Sequence, residues 1–293
     1  MKILLFSPIR KNIEVLKVTI PSWFALNQKG IELSFLLFDD NDDNKSSNYL
    51  NSFKDDRIEI INFDTIQKDN YDGDHNWNLQ QIDRIAEIKN YALKQTIDEK
   101  YDAVFLVDAD LVLHPESLIS LVNSNKNFIF KIFWTDFLKD GNYRPNCWDF
   151  HSWNYDNADS ILQLKEKGVF QVGAGGACTL IKNELINKGL TFNRIPNMRF
   201  NGEDRHICSR VYALGSEVYV DTNYPSYHIH DVNKYKEAEI WYKNGAKQEF
   251  FLQWLDDKWE NKVTKQFKPL TSIFLKIKRS FYLARRTFIN SLK

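Results

Sequence analysis

Cysteine is scarce. Cys147, Cys178 and Cys208 are the only three, far apart and with no C-x-x-C pair, which excludes a disulfide framework and a cysteine-built zinc site. A reducing, intracellular setting is expected. Long hydrophobic runs are missing too: no window approaches the roughly 18–20 apolar residues that span a bilayer. The opening Met1–Phe6 is apolar only briefly before Ser7-Pro8, too short for a signal-peptide core. A cytoplasmic protein is expected, soluble or peripheral on the inner face of a membrane. There is no net charge, 39 basic against 39 acidic side chains in 293 residues, so the basic excess that a general nucleic-acid binder needs is absent. No internal repeat or low-complexity linker is visible. What remains, 293 residues with 43% hydrophobic side chains, is ample for the core of one large domain or two small ones.

The charge is unevenly spread. No acidic residue follows Glu260, whereas nine lysines and arginines do, so an acidic body precedes a basic tail. In that tail Leu270, Phe274, Ile277, Phe281, Ala284, Phe288 and Leu292 recur at three- or four-residue steps among Lys276, Lys278, Arg279, Arg285 and Arg286. A basic amphipathic helix of this kind can lie on an anionic membrane surface; the same stripe also suits a helix packed on the core or a partner.

Apolar runs of strand length alternate with segments of helical period, the pattern of an α/β sheet with crossover helices. Strands are expected at Ile3–Phe6, Leu33–Phe38, Ile58–Phe63, Ala103–Val107, Phe128–Trp134, Ala177–Ile181, Glu217–Val220 and around Tyr227–His230. Helices are expected near Asn12–Leu26, from Ile82 to about Asp98, from His114 to Val122, and from Arg205 to Leu214 with Gly215 as its C-cap. Asp39–Asp43 reads as a polar loop, and Asp64–Gln80 as a long polar segment of the sort that is functional or mobile. The aromatic-rich stretch 135–171 reads either as an irregular packed subdomain or as a binding surface.

The D-x-D pattern occurs three times, at Asp40/Asp42, Asp72/Asp74 and Asp108/Asp110. Only Asp108/Asp110 ends a strongly apolar strand, where open α/β sheets bind ligands. Two carboxylates there can hold a hard divalent cation against a diphosphate, although Asp is also common in solvated turns. Glu203-Asp204 at a helix start has two readings, a catalytic carboxylate pair or a helix cap. His228 and His230 alternate and so face one side of a strand, a reachable pair for a metal or a structural one. Gly173-Ala174-Gly175-Gly176 is not a complete G-x-G-x-x-G, no P-loop is present, and no serine or cysteine carries a nucleophile motif.

Three runs together resemble GT-A glycosyltransferases, especially family-2-like ones. They are Arg84–Leu93; Val104–Asp110 followed by His114–Leu118; and Gly173–Ile181 followed by Asn201–Arg210, Leu214-Gly215 and Tyr227-His228. The resemblance covers roughly residues 1–232. It implies a Rossmann-like nucleotide-diphospho-sugar transferase sheet with helices on both faces over 1–235, a helical extension over 236–270 and the basic tail over 271–293. The implied activity is metal-assisted transfer of a sugar from a nucleotide-sugar donor, such as a UDP- or GDP-sugar, to the hydroxyl of a glycan, lipid-linked or protein acceptor.

The resemblance also implies roles. Pro8 and Arg10 would line the nucleotide pocket with Asp39 near the base or ribose, and Lys89 and Asn90 would lie by the nucleotide. Asp108 would approach ribose or metal, Asp110 would ligate Mn²⁺ or Mg²⁺, and His228 would add a metal contact. Gly175 and Gly176 would allow close approach to the donor sugar. Asp204, beside Glu203, would be the general base of an inverting reaction. A retaining enzyme, a sugar-1-phosphate nucleotidyltransferase and a non-catalytic glycan- or nucleotide-binding subunit are the alternatives. Lys89 stands where arginine is commoner, and Ser7-Pro8-Ile9-Arg10 lacks the glycine-rich loop usual in nucleotidyltransferases.

Overall fold

A computed structural model describes residues 1–62, 78–137, 143–154, 158–200 and 202–246. Most of the polar segment Asp64–Gln80, most of the 236–270 extension and the whole tail 271–293 lie outside the described residues.

Eight strands form the main sheet: β1 (Lys2–Ile9), β2 (Glu32–Asp39), β3 (Ile58–Ile61), β4 (Ala103–Val107), β5 (Phe128–Lys131), β6 (Val169–Gln171), β7 (Cys178–Lys182) and β8 (Tyr219–Asp221). Their order is β6-β8-β5-β7-β4-β1-β2-β3. The β3, β2, β1 and β4 side is wholly parallel, and β7 enters antiparallel between β4 and β5. This is the expected α/β architecture, a mostly parallel Rossmann-like sheet with helices on both faces.

The strands are continuous apolar runs because both faces are covered. In register, Leu4 lies beside Val104 and Phe6 beside Leu106, so residues of one parity share a face. Leu4, Phe6, Leu36, Phe38, Val104 and Leu106 pack under Ala86, Ile88 and Ala92 of α3 (Leu79–Asp98) and under Ile207 and Val211 of the helix 204–213. Ile3, Leu5, Phe35, Leu37, Phe105 and Val107 pack under Leu16, Ile20 and Trp23 of α1 (Ile13–Phe24) and under Leu118 and Leu121 of α4 (Ser117–Asn123). Phe105 is fully buried, and its truncation to alanine would cost about 3–5 kcal/mol.

Caps explain the helix starts. The Asn12 side chain accepts from the backbone N–H of Glu14 at the head of α1, and Asn78 and Gln81 form a capping box at the head of α3. The expected polar loop is present at residues 40–43, directly after β2, and α2 (Asn44–Asn51) follows it, capped by the Asp43 carboxylate accepting from Ser46 N–H. The expected strand Phe128–Trp134 breaks after Lys131. Phe133 N–H donates to the Asn146 side chain at 2.9 Å, and Trp134–Thr135 pairs with Arg144–Pro145 instead. Stretch 135–171 also supplies α5 (Ala158–Leu164) and edge strand β6. The remaining helices are α6 (Asn183–Asn187), α7 (Asp204–Ala213) and α8 (Tyr235–Lys243). Gly215 follows α7 at φ +73°, as a C-cap glycine should. Among the described residues no helix is long and apolar enough to cross a membrane.

Candidate active site

A cleft of about 580 Å³ opens at the carboxyl ends of β1, β2 and β4, where an open α/β sheet offers its loops to a ligand. Its floor is Asp108-Ala109-Asp110. One wall carries Pro8, Arg10 and Lys11 after β1, Asp40 after β2, and the α3 residues Gln81, Arg84, Ile85 and Lys89. The other carries Gly176, Ala177 and residues 202–205 at the head of α7. Phe133, Phe137, Trp148, His228 and His230 form an aromatic rim.

The floor is a tight turn. Asp108 N–H donates to Ala177 C=O at 2.9 Å, and Leu111 N–H donates back to Asp108 C=O at 3.1 Å. Ala177 takes a left-handed conformation, φ +74°, a strain that proteins tend to hold at functional sites. Beyond the turn, Leu111–Val112 pairs antiparallel with Tyr227–His228, and Ile229 N–H donates to Asp110 C=O at 2.9 Å. That ladder brings His228 from far along the chain to Asp110.

The wall built by the ends of β1 and β2 and by α3 carries three cations, each paired with a carboxylate. Arg84 grips Asp40 with two hydrogen bonds, 2.7 and 2.5 Å, and Arg10 holds Asp42 at 2.8 and 3.2 Å. Lys11 Nζ lies 2.8 Å from Asp110 Oδ2, and His228 Nε2 lies 3.4 Å from the same oxygen. Burial alone would raise the Asp110 carboxyl, but Lys11 and His228 outweigh it and hold Asp110 well below the usual carboxylate range. Asp110 Oδ1 is buried and has no hydrogen-bond partner.

His228 Nδ1 is 2.7 Å from Thr135 Oγ1. That contact orients the ring with Nε2 toward Asp110, and a cation bound between them would take the place of an Nε2 proton. Among the described residues no three His, Cys, Asp or Glu side chains gather as a complete metal cage. Mg²⁺-like ions need none, because they bind through one or two protein groups plus substrate phosphates and water. An ionised carboxylate with a spare buried oxygen and an oriented imidazole therefore fit a divalent cation.

The opposite side, at the head of α7, holds a charge network around the buried Lys89. Lys89, 4% exposed, lies 2.5 Å from Glu203 Oε1 and 3.5 Å from Asp108 Oδ1. Burial alone would lower its ammonium, but Asp108, Glu203 and Asp204 outweigh that and raise it, so Lys89 stays charged. Burial chiefly, then the charge of Glu203, pushes the Asp204 carboxyl up to about 7 against the opposing pull of Lys89. Burial also raises Asp108, again against Lys89, with Asp110 and Glu203 adding to the rise. Gly202, at φ +85°, delivers the chain into this corner. A Cβ on Gly176 would collide with the Asp204 carboxylate.

Neither acid caps α7 through its side chain. Glu203 is the N-cap residue, but its side chain makes no cap hydrogen bond and turns to Lys89 instead. Asp204 is the first helical residue and faces the cleft.

Of the residues implied by resemblance, Pro8, Arg10, Lys89, Asp108, Asp110, Gly176, Glu203, Asp204 and His228 all line the cleft. Three do not. Asp39 turns to Asn41 and Ser47, and the next residue, Asp40, faces the cleft because side chains alternate along an extended chain. Asn90 lies one helical step, about 100°, past Lys89; it donates to Asn193 at 2.7 Å and accepts from Phe192 N–H at 2.8 Å. Gly175 meets the core, where a Cβ would strike the Phe130 ring. Sequence reasoning missed Lys11, Asp40, Asn146 and Arg205. Their signal was position alone, polar residues just past strand ends or at a helix start.

The Anp1 family profile matches residues 1–173. A solved structure titled "Crystal Structure of A197 from STIV" is similar over 78% of this chain and 85% of that one, at 17% identity and a TM-score of 0.43. No curated protein matches significantly.

Proposed function

Because the chain belongs to the Anp1 family, a mannosyltransferase-related family of GT-A-like glycosyltransferases, we propose that it transfers a sugar from a nucleoside-diphosphate donor to an acceptor hydroxyl with inversion. The observation that carries this reading is the contrast between two carboxylates in one cleft. Asp110 is held ionised, and Asp204 is pushed up to about 7. Environments that drive paired acids apart mark different roles for them.

The donor occupies the side of Pro8, Arg10, Lys11 and Arg84, whose cationic groups suit phosphates. Asp110 and His228 would hold Mn²⁺ or Mg²⁺, with Asp108 alongside; when bound, the ion supplies positive charge that stabilises the departing diphosphate. The acceptor hydroxyl lies by Asp204. As its oxygen bonds to the anomeric carbon, the bond from that carbon to the diphosphate oxygen breaks, and the hydroxyl proton passes to Asp204. A carboxyl pushed up to about 7 is matched to neutral pH, being about half ionised there yet basic enough to take the proton. Lys89 and Glu203 touch no reacting atom in this scheme; they set the charge and placement of Asp204.

The test is a thermal-stability screen of UDP-, GDP- and CDP-sugars with manganese. One nucleotide class should stabilise the wild type, by about 2.7 kcal/mol at a hundred times its dissociation constant. Asp110→Asn should lose most of that gain. Stabilisation of the wild type with no turnover on any donor would instead favour a non-catalytic binding subunit.

A further inference from the structure

Lys11 lies where a divalent ion and an ammonium would compete. Its Nζ is 2.8 Å from Asp110 Oδ2, the oxygen that also faces His228 Nε2 at 3.4 Å. The Asp110 side chain is only 6% exposed, whereas that of Lys11 is 21% exposed. The backbone around Lys11 is pinned: its N–H donates to Asn41 Oδ1 at 3.0 Å, and the next residue, Asn12, caps α1. What can move is the four-carbon side chain, a flexible stem carrying a point charge. A divalent ion on Asp110 would stand within a few ångströms of that ammonium, and like charges so close in a poorly solvated corner repel strongly. Further along the same wall the carboxylates of Asp42 and Asp40 already pair with Arg10 and Arg84, so the displaced ammonium finds no unpaired carboxylate there. An arriving diphosphate supplies the anion that the displaced lysine needs.

We propose that Lys11 is an exchangeable counter-ion of Asp110. It occupies the carboxylate while the cleft is empty and moves to the donor diphosphate when ion and donor bind, which makes the two bind together. This rests on the metal-assisted reading above. It follows that the ion alone binds weakly, that nucleoside diphosphate and ion strengthen each other by the same factor, and that Lys11 is the source of much of that coupling.

The experiment is a manganese titration of the full chain followed by electron paramagnetic resonance, with and without uridine or guanosine diphosphate, on wild type, Lys11→Met, Lys11→Gln and Lys11→Arg. In the wild type the diphosphate should tighten manganese about 10-fold or more, inside the usual range of such couplings. Lys11→Met and Lys11→Gln should bind manganese alone about 10-fold tighter than wild type and lose most of the coupling, while Lys11→Arg should behave like wild type. Circular dichroism checks that each variant is folded, and the glutamine variant preserves side-chain polarity if methionine disturbs the loop. Unchanged or weaker manganese binding by both neutral variants, with wild type still coupled, overturns the exchange while leaving the metal reading standing. If wild type binds no manganese even with either diphosphate, the metal reading fails and the exchange with it.

Discussion

Asp204→Asn should cripple the enzyme and stabilise the protein. The Asp204 carboxyl lies at about 7 against an ordinary value of 3.8. Between those values the native state binds more protons than the unfolded chain, so this group's contribution to stability falls as pH rises from about 4 to about 7 and stays low above that. A shift of some three units, which already includes the opposing pull of Lys89, corresponds to about 4 kcal/mol at most, and solvent reaching the half-buried side chain reduces it to about 2–4 kcal/mol. The amide is nearly isosteric and carries no charge to bury. At pH 8, Asp204→Asn should therefore melt roughly 4–16 °C above wild type, at about 2–4 °C per kcal/mol for a domain of this size. The gap should close toward pH 4. Turnover should fall by about 10²-fold or more, the loss expected for a removed general base. In the wild type, kcat should decline below about pH 7, and in the variant that limb should vanish. Calorimetry from pH 4 to 8 together with a pH–rate profile reads both effects. A variant less stable than wild type at pH 8, or a gap independent of pH, would refute the burial argument. A retained acidic limb would refute the base.

Gly176→Ala places a methyl group against the Asp204 carboxylate. It should lower turnover by about 10-fold or more, since an ångström of displacement at a reacting group is costly, with a smaller change in donor affinity; initial rates at saturating donor measure this. Residues 271–293 carry five lysines and arginines at 276–286 and one lysine at the end, with no acid among them. The full chain should co-sediment with phosphatidylserine vesicles at low salt, and its deletion at 270 should not, because each basic residue near an anionic surface adds about 1 kcal/mol.

The sheet was legible because β1, β2, β4 and β7 are built on short, mostly apolar stretches bounded by polar turns, a signal that survives without an alignment. The helix α2 was not, since Asn44–Asn51 is too polar to show an apolar stripe and only the Asp43 cap marks its start. In the site, Asp108 and Asp110 announce themselves by ending the central strand, and Asp204 by opening a helix. The pairing of His228 with Asp110 depends on a two-residue ladder between segments more than a hundred residues apart, which no local pattern encodes. The resemblance puts Lys89 by the nucleotide, and Lys89 does line the cleft, but its ion-pair partners were not legible. Its place on α3 turns it beneath Glu203 and Asp108, a matter of helix rotation and tertiary packing. Asp39 against Asp40 is decided by one residue of alternation at the end of β2.

Release of nucleoside diphosphate from a nucleotide-sugar is the most direct measurement of this chemistry. Wild-type protein, manganese and each of a panel of UDP-, GDP- and CDP-sugars are incubated with glycan and lipid-linked acceptors, and the liberated diphosphate is quantified by a coupled assay. One donor class should yield diphosphate above background, with release lost on chelation and in both Asp110→Asn and Asp204→Asn. Release that is indifferent to chelator and to both substitutions, or no release from any donor that binds, would contradict the assignment of this cleft as a sugar-transfer site.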